Sequence, residues 1–413
     1  MPEHIREHMM DRTMGPFIES VSRTFPVLML TGMRQVGKST LLEMLRARER
    51  KFVSLDDLSD REIARTSPAL FIQRYEPPVV IDEIQYAPEL FPYIKIYVDT
   101  HRENGLFWLT GSQKFQLMKG VRESLAGRVA ILDLLGFSCR EMEGRPFTSV
   151  PFLPSMDSVK NLEEKPGPSL LELYRRIWLG SFPRLIVQGG ENREIFYRSY
   201  LQTYLERDVR GDLGVGSEIK FYNFIRASAV RSGCLLNYAG LARDAGIDAR
   251  TASAWMSTLE RSGVVKLLEP YYNNITKRMV KTPKIYFMDT GLAAYLANMD
   301  TPEALEAGYL TGSLLETYVF VEIMKSYWHN GREPSIFFFR DADQKEIDFV
   351  IERNGTLYPI DVKKTGAPSR ADAKNFSALR KLGKPVGPGA IVCLRRTAAP
   401  LAEDLLALPV WEL

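Results

Sequence analysis

The sequence predicts an α/β protein in three parts: a parallel-sheet domain built on a phosphate-binding loop, a central helical region, and a second α/β domain at the carboxyl end. Three observations carry this. First, the apolar run Val27–Leu30 meets Gly32, and Gly37-Lys38-Ser39 opens a helical pattern at Leu41 and Leu42. G-x-x-x-x-G-K-S therefore stands between a strand and a helix. Second, Val79-Val80-Ile81 ends in Asp82-Glu83. That is a strand buried on both faces with acids at its carboxyl end, where open α/β sheets bind ligands. Third, Asn354-Gly355 separates two runs of alternating polarity, the strongest two-residue hairpin signal.

A chain of 413 residues has room for two or three domains with separate cores. The expected parts are residues 1–140, a linker over 141–169, a helical region over 170–295 and the last domain over 296–413. Hydrophobic content of 45% and charged content of 25% are ordinary for a soluble protein. No stretch approaches the ~18 apolar residues of a membrane helix, and the first residues lack a signal-peptide core, so the expected location is the cytoplasm with no membrane partner. Cys139, Cys234 and Cys393 form neither a disulfide framework nor a zinc spacing, and four scattered histidines argue against a histidine metal centre. A net charge of +3 is too small to point to nucleic acid, so that claim rests on local clusters.

In the first part, the glycines let backbone N–H groups of Gly32, Arg34, Gln35, Val36 and Gly37 curl round a phosphate, with Thr40 in the helix opening behind them. Lys38 would reach the outer phosphates and Ser39 would hold Mg²⁺. Asp82 would hold the same ion through water, and Glu83 would polarise the attacking water. This set implies ATP and Mg²⁺. A third strand over residues 106–110 runs into Gly111-Ser112-Gln113, and Ser112 is placed to sense the terminal phosphate. Arg128 follows Gly127 in a helix-to-strand turn. An arginine there would neutralise transition-state charge on its own or a neighbouring subunit's nucleotide, which makes a homo-oligomer a candidate state.

These residues resemble the AAA+ ATPases. The closer likeness is to a prokaryotic family that joins such a module to a domain of unknown function similar to restriction endonucleases. It is carried by the phosphate loop, Val80–Gln85, Leu109–Gln113, Ser124–Arg128, Tyr204–Val209 and Lys284–Leu292. It spans nearly the whole chain, and the middle signatures come without an assigned chemistry.

Residues 143–169 lack periodicity and read as a linker or long loop. Tyr197, Tyr200, Leu201, Tyr204 and Leu205 form one helical stripe, closed by Glu206-Arg207-Asp208 as a structural ion pair. Residues 237–245 make a short helix, Gly246-Ile247 a turn, and Asp248 caps a longer helix. Val264–Leu268 and Lys284–Phe287 then read as a hairpin. Helix, turn, helix, hairpin is the order of a winged helix, in which Arg250, Lys277, Arg278, Lys281 and Lys284 would meet DNA phosphates.

The carboxyl-terminal part says most through geometry. A two-residue loop sets Arg353 opposite Thr356 and, counting along the ladder, Asp348 opposite Asp361, with Lys363 on the same face. Two carboxylates with Cβ atoms about 5 Å apart repel unless a cation lies between them. Asp348, Asp361 and Lys363 thus resemble the PD-(D/E)xK site of restriction-endonuclease-like nucleases, where the acids hold Mg²⁺ and the lysine orients water. Glu316, an acid on the apolar stripe of Phe320, Ile323 and Tyr327, is the candidate fourth member, with Glu322 as the fallback. Phe337–Arg340, residues 390–394 and residues 408–411 would add strands. The leading expectation is an ATPase whose nucleotide state controls a DNA-directed, Mg²⁺-dependent nuclease domain. The alternative is a nucleotide switch that binds DNA or protein and cuts nothing.

Overall fold

The computed structural model describes residues 9–111, 121, 123–157, 167–204, 218–273 and 281–413. The first part runs α1 (Gly15–Ser22), β1 (Val27–Thr31), α2 (Lys38–Leu45), β2 (Lys51–Ser54), α3 (Leu58–Thr66), α4 (Pro68–Arg74), β3 (Val79–Asp82), α5 (Leu90–His101), β4 (Phe107–Thr110), β5 (Val129–Asp133) and α6 (Cys139–Met142). Its five strands are parallel in the order β2-β3-β4-β1-β5. Every residue of β1, β3 and β4 is buried, as unbroken apolar runs require when helices cover both faces. The order puts β4 between the loop-bearing β1 and the acid-bearing β3, so Thr110, Asp82 and the phosphate loop share one edge of the sheet.

The middle part is helical: α7 (Leu170–Leu179), α8 (Pro183–Val187), α9 (Arg193–Tyr204), α10 (Glu218–Ala229), α11 (Tyr238–Ala245) and α12 (Ala249–Arg261). The antiparallel pair β6 (Val265–Leu268) and β7 (Lys284–Phe287) comes next, then α13 (Thr290–Leu296) and α14 (Pro302–Ala307). The Asp248 side chain accepts from Thr251 N at the start of α12, and Ala252, Trp255, Met256 and Leu259 form its buried stripe. The tyrosine stripe of α9 is buried through Tyr204. Leu205 and the Glu206-Arg207-Asp208 group lie outside the described residues, as do Lys277 and Arg278.

The last part opens with α15 (Thr311–Trp328), followed by β8 (Ile336–Arg340), β9 (Glu346–Arg353), β10 (Thr356–Lys363), β11 (Gly389–Cys393), β12 (Ala399–Ala402) and β13 (Leu405–Pro409). The sheet order is β12-β13-β11-β10-β9-β8. β8, β9 and β10 form an antiparallel meander, and a 3₁₀ segment (Arg370–Leu382) crosses to β11, which runs parallel to β10. Asn354 (φ 50°) and Gly355 (φ 76°) make the hairpin turn, and Arg353 pairs with Thr356 as the two-residue loop demands.

One apolar core joins all three parts. It runs from Leu28 and Leu42 through Tyr197, Trp255 and Tyr286 to Phe320, Phe349 and Trp411. The segment read as a linker contributes to this packing. Phe152 N donates to Ser326 Oγ (3.0 Å), and Tyr327 OH donates to Phe152 O (2.8 Å), so the strap lies along α15. Among the described residues no helix is long and apolar enough to cross a membrane.

Candidate functional site

The loop after β1 has the backbone its glycines predict. Gly32 (φ 137°), Gln35 (φ 61°) and Gly37 (φ 91°) take left-handed conformations. A Cβ on Gly32 would stand 2.2 Å from Leu134 O, so no other residue fits there. Lys38 is buried and its ammonium donates to Gly32 O (3.0 Å) and Met33 O (2.7 Å), held within the loop that would receive a phosphate. Ser39 Oγ donates to Asp82 Oδ1 (2.5 Å). A hydroxyl at the helix start and a carboxylate two strands away therefore converge on one point, the donor set that a nucleotide-borne Mg²⁺ takes. Arg34 and Thr40 lie at the loop and helix opening, and Val36 is buried beneath them.

Two residues missing from the sequence reading complete this edge. Thr110 Oγ1 donates to Asp82 Oδ1 and accepts from Glu83 N (3.2 Å). It thus joins the two acids from β4. Ser112, assigned the sensing role on that strand, lies outside the described residues. Glu83 adopts φ 55° and its carboxylate accepts from Gln85 Nε2. Beneath the loop, the buried Arg12 donates to Val36 O (2.9 Å), Leu135 O (2.7 Å) and Gly136 O (3.3 Å), and pairs with Glu141 Oε1 (3.1 Å). Burial alone would raise the Glu141 carboxyl. Arg12, His329 and the N–H groups of Ser138 and Thr13 overcome this and hold it down at about 2. His329 accepts from Leu135 N through Nε2 (3.3 Å), with Nδ1 3.5 Å from Glu141 Oε1. Burial pushes its imidazole down to about 4, so it is neutral at pH 7.

Beside Gln35 a cleft of about 490 Å³ opens, walled by Arg184 of α8, Phe196 of α9, and Gln188, Glu191 and Asn192 of the turn between them. Pro183 reaches to 3.7 Å of where a Cβ on Gly37 would stand, so the start of α8 sits on the phosphate loop. Arg128 is elsewhere. Arg128 O accepts from Val27 N at the amino ends of β5 and β1, a five-residue strand, or about 16 Å, from the loop. Its guanidinium grips Asp99 with Nε–Oδ1 at 2.5 Å and Nη2–Oδ2 at 2.9 Å. The expectation that Arg128 serves its own subunit's nucleotide is corrected by that position.

In the carboxyl-terminal sheet the ladder follows the expected register as far as Ile360–Phe349. One step further the carboxylates depart from simple opposition. Asp348 N donates to Asp361 Oδ1 (3.0 Å), and Val362 N donates to Asp348 Oδ2 (2.8 Å). Each acid caps the other strand's backbone, which offsets the like-charge cost without a metal. Lys363 Nζ lies 3.6 Å from Asp361 Oδ2. Burial and Asp348 push the Asp361 carboxyl up to about 7, against the pull of Lys363. Glu316 joins this cluster: burial and Asp348 raise it to about 7 as well, with Lys284 opposing. Glu322 does not join. It accepts from Cys139 N (2.8 Å) and pairs with Lys325 (2.8 Å) on another face of α15.

Lys284 departs from its expected place against DNA. It is 3% exposed, and its Nζ sits 3.1 Å from Glu316 Oε1 and 2.7 Å from Glu346 Oε1. Arg250 and Lys281 are exposed. Among the described residues no three His, Cys, Asp or Glu side chains are arranged to hold a metal ion. The acid cluster as arranged therefore does not fit Mg²⁺, because an ammonium and two backbone N–H groups take its carboxylate oxygens.

Comparison with known proteins gives three successive matches: an AAA domain over residues 24–143, a domain of unknown function (DUF8612) over 170–303, and a domain of unknown function (DUF4143) over 311–413. The uncharacterized proteins Mb2031c of Mycobacterium bovis and Rv2008c of Mycobacterium tuberculosis are each 30% identical over 395 residues, 94% of this chain and 81% of theirs. Among solved structures, a point variant of Thermotoga maritima RuvB matches at 17% identity over 61% of this chain and 86% of its own, with a TM-score of 0.29. Protein VC1899 from Vibrio cholerae matches at 12% identity over 94% of each chain, with a TM-score of 0.17.

Proposed function

We propose, for a chain that belongs to the family of the mycobacterial proteins Mb2031c and Rv2008c and carries an AAA domain, that it binds and hydrolyses ATP and that its nucleotide state controls a DNA-directed carboxyl-terminal domain. The observation that carries the reading is the Ser39–Asp82 contact at the mouth of the phosphate loop. Ser39 and Asp82 are the residues that would hold Mg²⁺ brought in with the nucleotide, and the ion would supply neutralisation of phosphate charge. Lys38 exchanges the carbonyls of Gly32 and Met33 for phosphate oxygens. Glu83, its backbone tied to Thr110, orients the attacking water, and the cleft beside Gln35 takes the nucleoside.

Control of the far domain is supported by α15. Its carboxyl end is fastened to the nucleotide domain by Lys325 Nζ on Phe137 O (2.7 Å), Glu322 on Cys139 N and His329 on Leu135 N. Its second turn carries Glu316 into the acid cluster, about 9 to 20 Å from those fastenings along the helix. The test is phosphate release by the full chain with Mg²⁺ and ATP, with and without plasmid. The expected result is turnover that DNA stimulates and Asp82→Asn abolishes. No turnover by the wild type under either condition would sink the reading.

A second reading, a switch that cuts nothing, is favoured by the Lys284 ammonium standing among the acids. It expects nucleotide-dependent, salt-sensitive binding of DNA or protein, and intact plasmid in the same incubation.

A further inference from the structure

The turn between α7 and α8 and the turn between β7 and α13 meet at one buried carboxylate. Asp289 is 1% exposed. Its Oδ2 accepts from Ser181 N (2.7 Å) and Ser181 Oγ (2.9 Å), and its Oδ1 accepts from Leu292 N (2.8 Å). Tyr197 OH of α9 lies 2.9 Å from Oδ1 and 2.9 Å from Leu179 O. Two glycines let these segments come so close. A Cβ on Gly180 (φ 79°) would stand 2.5 Å from Asp289 Oδ1. One on Gly291 would stand 2.2 Å from Tyr197 OH and 2.6 Å from Gly180 N. The signature Lys284–Leu292, which carried no assigned chemistry, thus supplies Asp289 and Gly291 to a joint.

Both turns border the phosphate loop. Ser181 O accepts from Phe137 N (2.8 Å), and a Cβ on Gly136 would stand 2.2 Å from Ser181 Oγ. Gly136 O accepts from Arg12, which also donates to Val36 O within the loop. Two residues beyond Ser181, Pro183 lies against Gly37. One residue before Asp289, Met288 lines a small cavity with Gly32 and Met33. The loop is therefore bordered at both its glycines by segments that Asp289 ties together. Ser181 cannot shift without disturbing Pro183 on one side and Gly136 on the other, because a close-packed interior leaves no slack.

We propose that Asp289 is a positioning residue for nucleotide binding: by holding Ser181 it sets the start of α8 on the phosphate loop, and the loop's affinity for ATP depends on that grip. This rests on reading the loop as an ATP site. The carboxylate is needed because each of its oxygens accepts from a backbone N–H. An amide offers one acceptor oxygen, so Asp289→Asn leaves either Ser181 N or Leu292 N facing an NH₂ group. By linkage, ATP must in turn tighten the joint by the factor with which the joint tightens ATP.

The test is equilibrium binding of a fluorescent ATP analogue with Mg²⁺ to the full chain, with thermal melting used to fix the folded fraction of each variant. Asp289→Asn is expected to bind about tenfold more weakly than wild type, the effect of one lost hydrogen bond to a charged group. Tyr197→Phe takes a buried hydroxyl from the same carboxylate but leaves both Ser181 bonds. It should melt lower yet bind within about twofold of wild type. Binding by Asp289→Asn within about twofold of wild type overturns the proposal. An equal loss in Tyr197→Phe overturns it too, because the joint would then be ordinary core. Should Asp289→Asn fail to fold, hydrogen exchange of the wild type decides. ATP with Mg²⁺ should slow exchange of the peptides over residues 179–183 and 288–293 by about fivefold or more, and unchanged exchange in either overturns the proposal. No binding by the wild type removes the ATP reading and this proposal together; equal binding by wild type and Asp289→Asn removes the proposal alone.

Discussion

Arg12→Met separates two accounts of the phosphate loop, one in which the loop holds itself and one in which a buried arginine holds it. Arg12 links Val36 O of the loop, Leu135 O and Gly136 O after β5, and the Glu141 carboxylate. Its side chain is 4% exposed and that of Glu141 is fully enclosed. Removing one partner of such a pair leaves an uncompensated buried charge, which costs about 3–5 kcal/mol. The Glu141 titration gives the same order. Held at about 2 against an ordinary 4.5, the carboxyl contributes about 3 kcal/mol that is full above pH 4.5 and is lost as the pH falls towards 2. The assay is hydrogen exchange of the peptide over residues 133–141 at pH 7.5, where the opening free energy should fall by about 3 kcal/mol or more. Arg12→Met/Glu141→Gln should recover at least half of that, because the stranded charge is gone. The turnover of ATP should fall in the single variant, since Val36 O loses its anchor. An opening free energy within about 1 kcal/mol of wild type, or a double variant no better than the single one, refutes the reasoning.

The neutral His329 predicts acid lability. Its folded value near 4 lies below the ordinary 6.5, so stability is full above pH 6.5 and drains as the pH falls towards 4, by about 2 kcal/mol between pH 7.5 and 5. Urea unfolding at the two pH values should show this loss in wild type and a shallower one in His329→Gln; identical slopes would exclude His329 as the cause. Thr110→Val removes the hydroxyl that joins Asp82 to Glu83. A lost hydrogen bond to a charged group predicts a fall in kcat of about 10- to 100-fold, with ATP affinity nearly unchanged in equilibrium binding. A kcat within about threefold of wild type would remove Thr110 from the site.

What could be read from the sequence was local. The phosphate loop, the strand ending in Asp82 and the Asn354-Gly355 turn are each set by neighbours along the chain. Glu316 was readable because an acid on an apolar stripe must find a partner. Arg12 and Thr110 were not, since their partners lie 129 and 28 residues away, and nothing in the local pattern distinguishes a buried arginine from a solvated one. Lys284 misled for the same reason. It stands among basic residues in the sequence, yet a four-residue strand, all buried, carries it inward to Glu316. The hairpin register was legible to its last paired step and no further. There, two side chains displace the ladder bonds, a choice made by charge and invisible to turn geometry.

The same placement constrains how the parts of the molecule can move. α15 is pinned at one end to residues 135–139 and at the other to β7, and one continuous core packs both. A helix so buried can shift only as a body, because a close-packed interior deforms in discrete steps and not continuously. Motion of α15 alone would strand Glu316 away from Lys284 and Tyr286, leaving a carboxylate and an ammonium unpaired in the interior, at a cost of several kcal/mol. Motion of the β6–β7 hairpin breaks the same pairs and also the bonds that tie β7 to residues 233–236, Gly233 N on Ile285 O (2.7 Å), Leu236 N on Pro283 O (2.8 Å) and Ile285 N on Cys234 O (3.0 Å). Either motion breaks the Lys284–Glu316 pair, so α15 and β7 hold together as one buried unit.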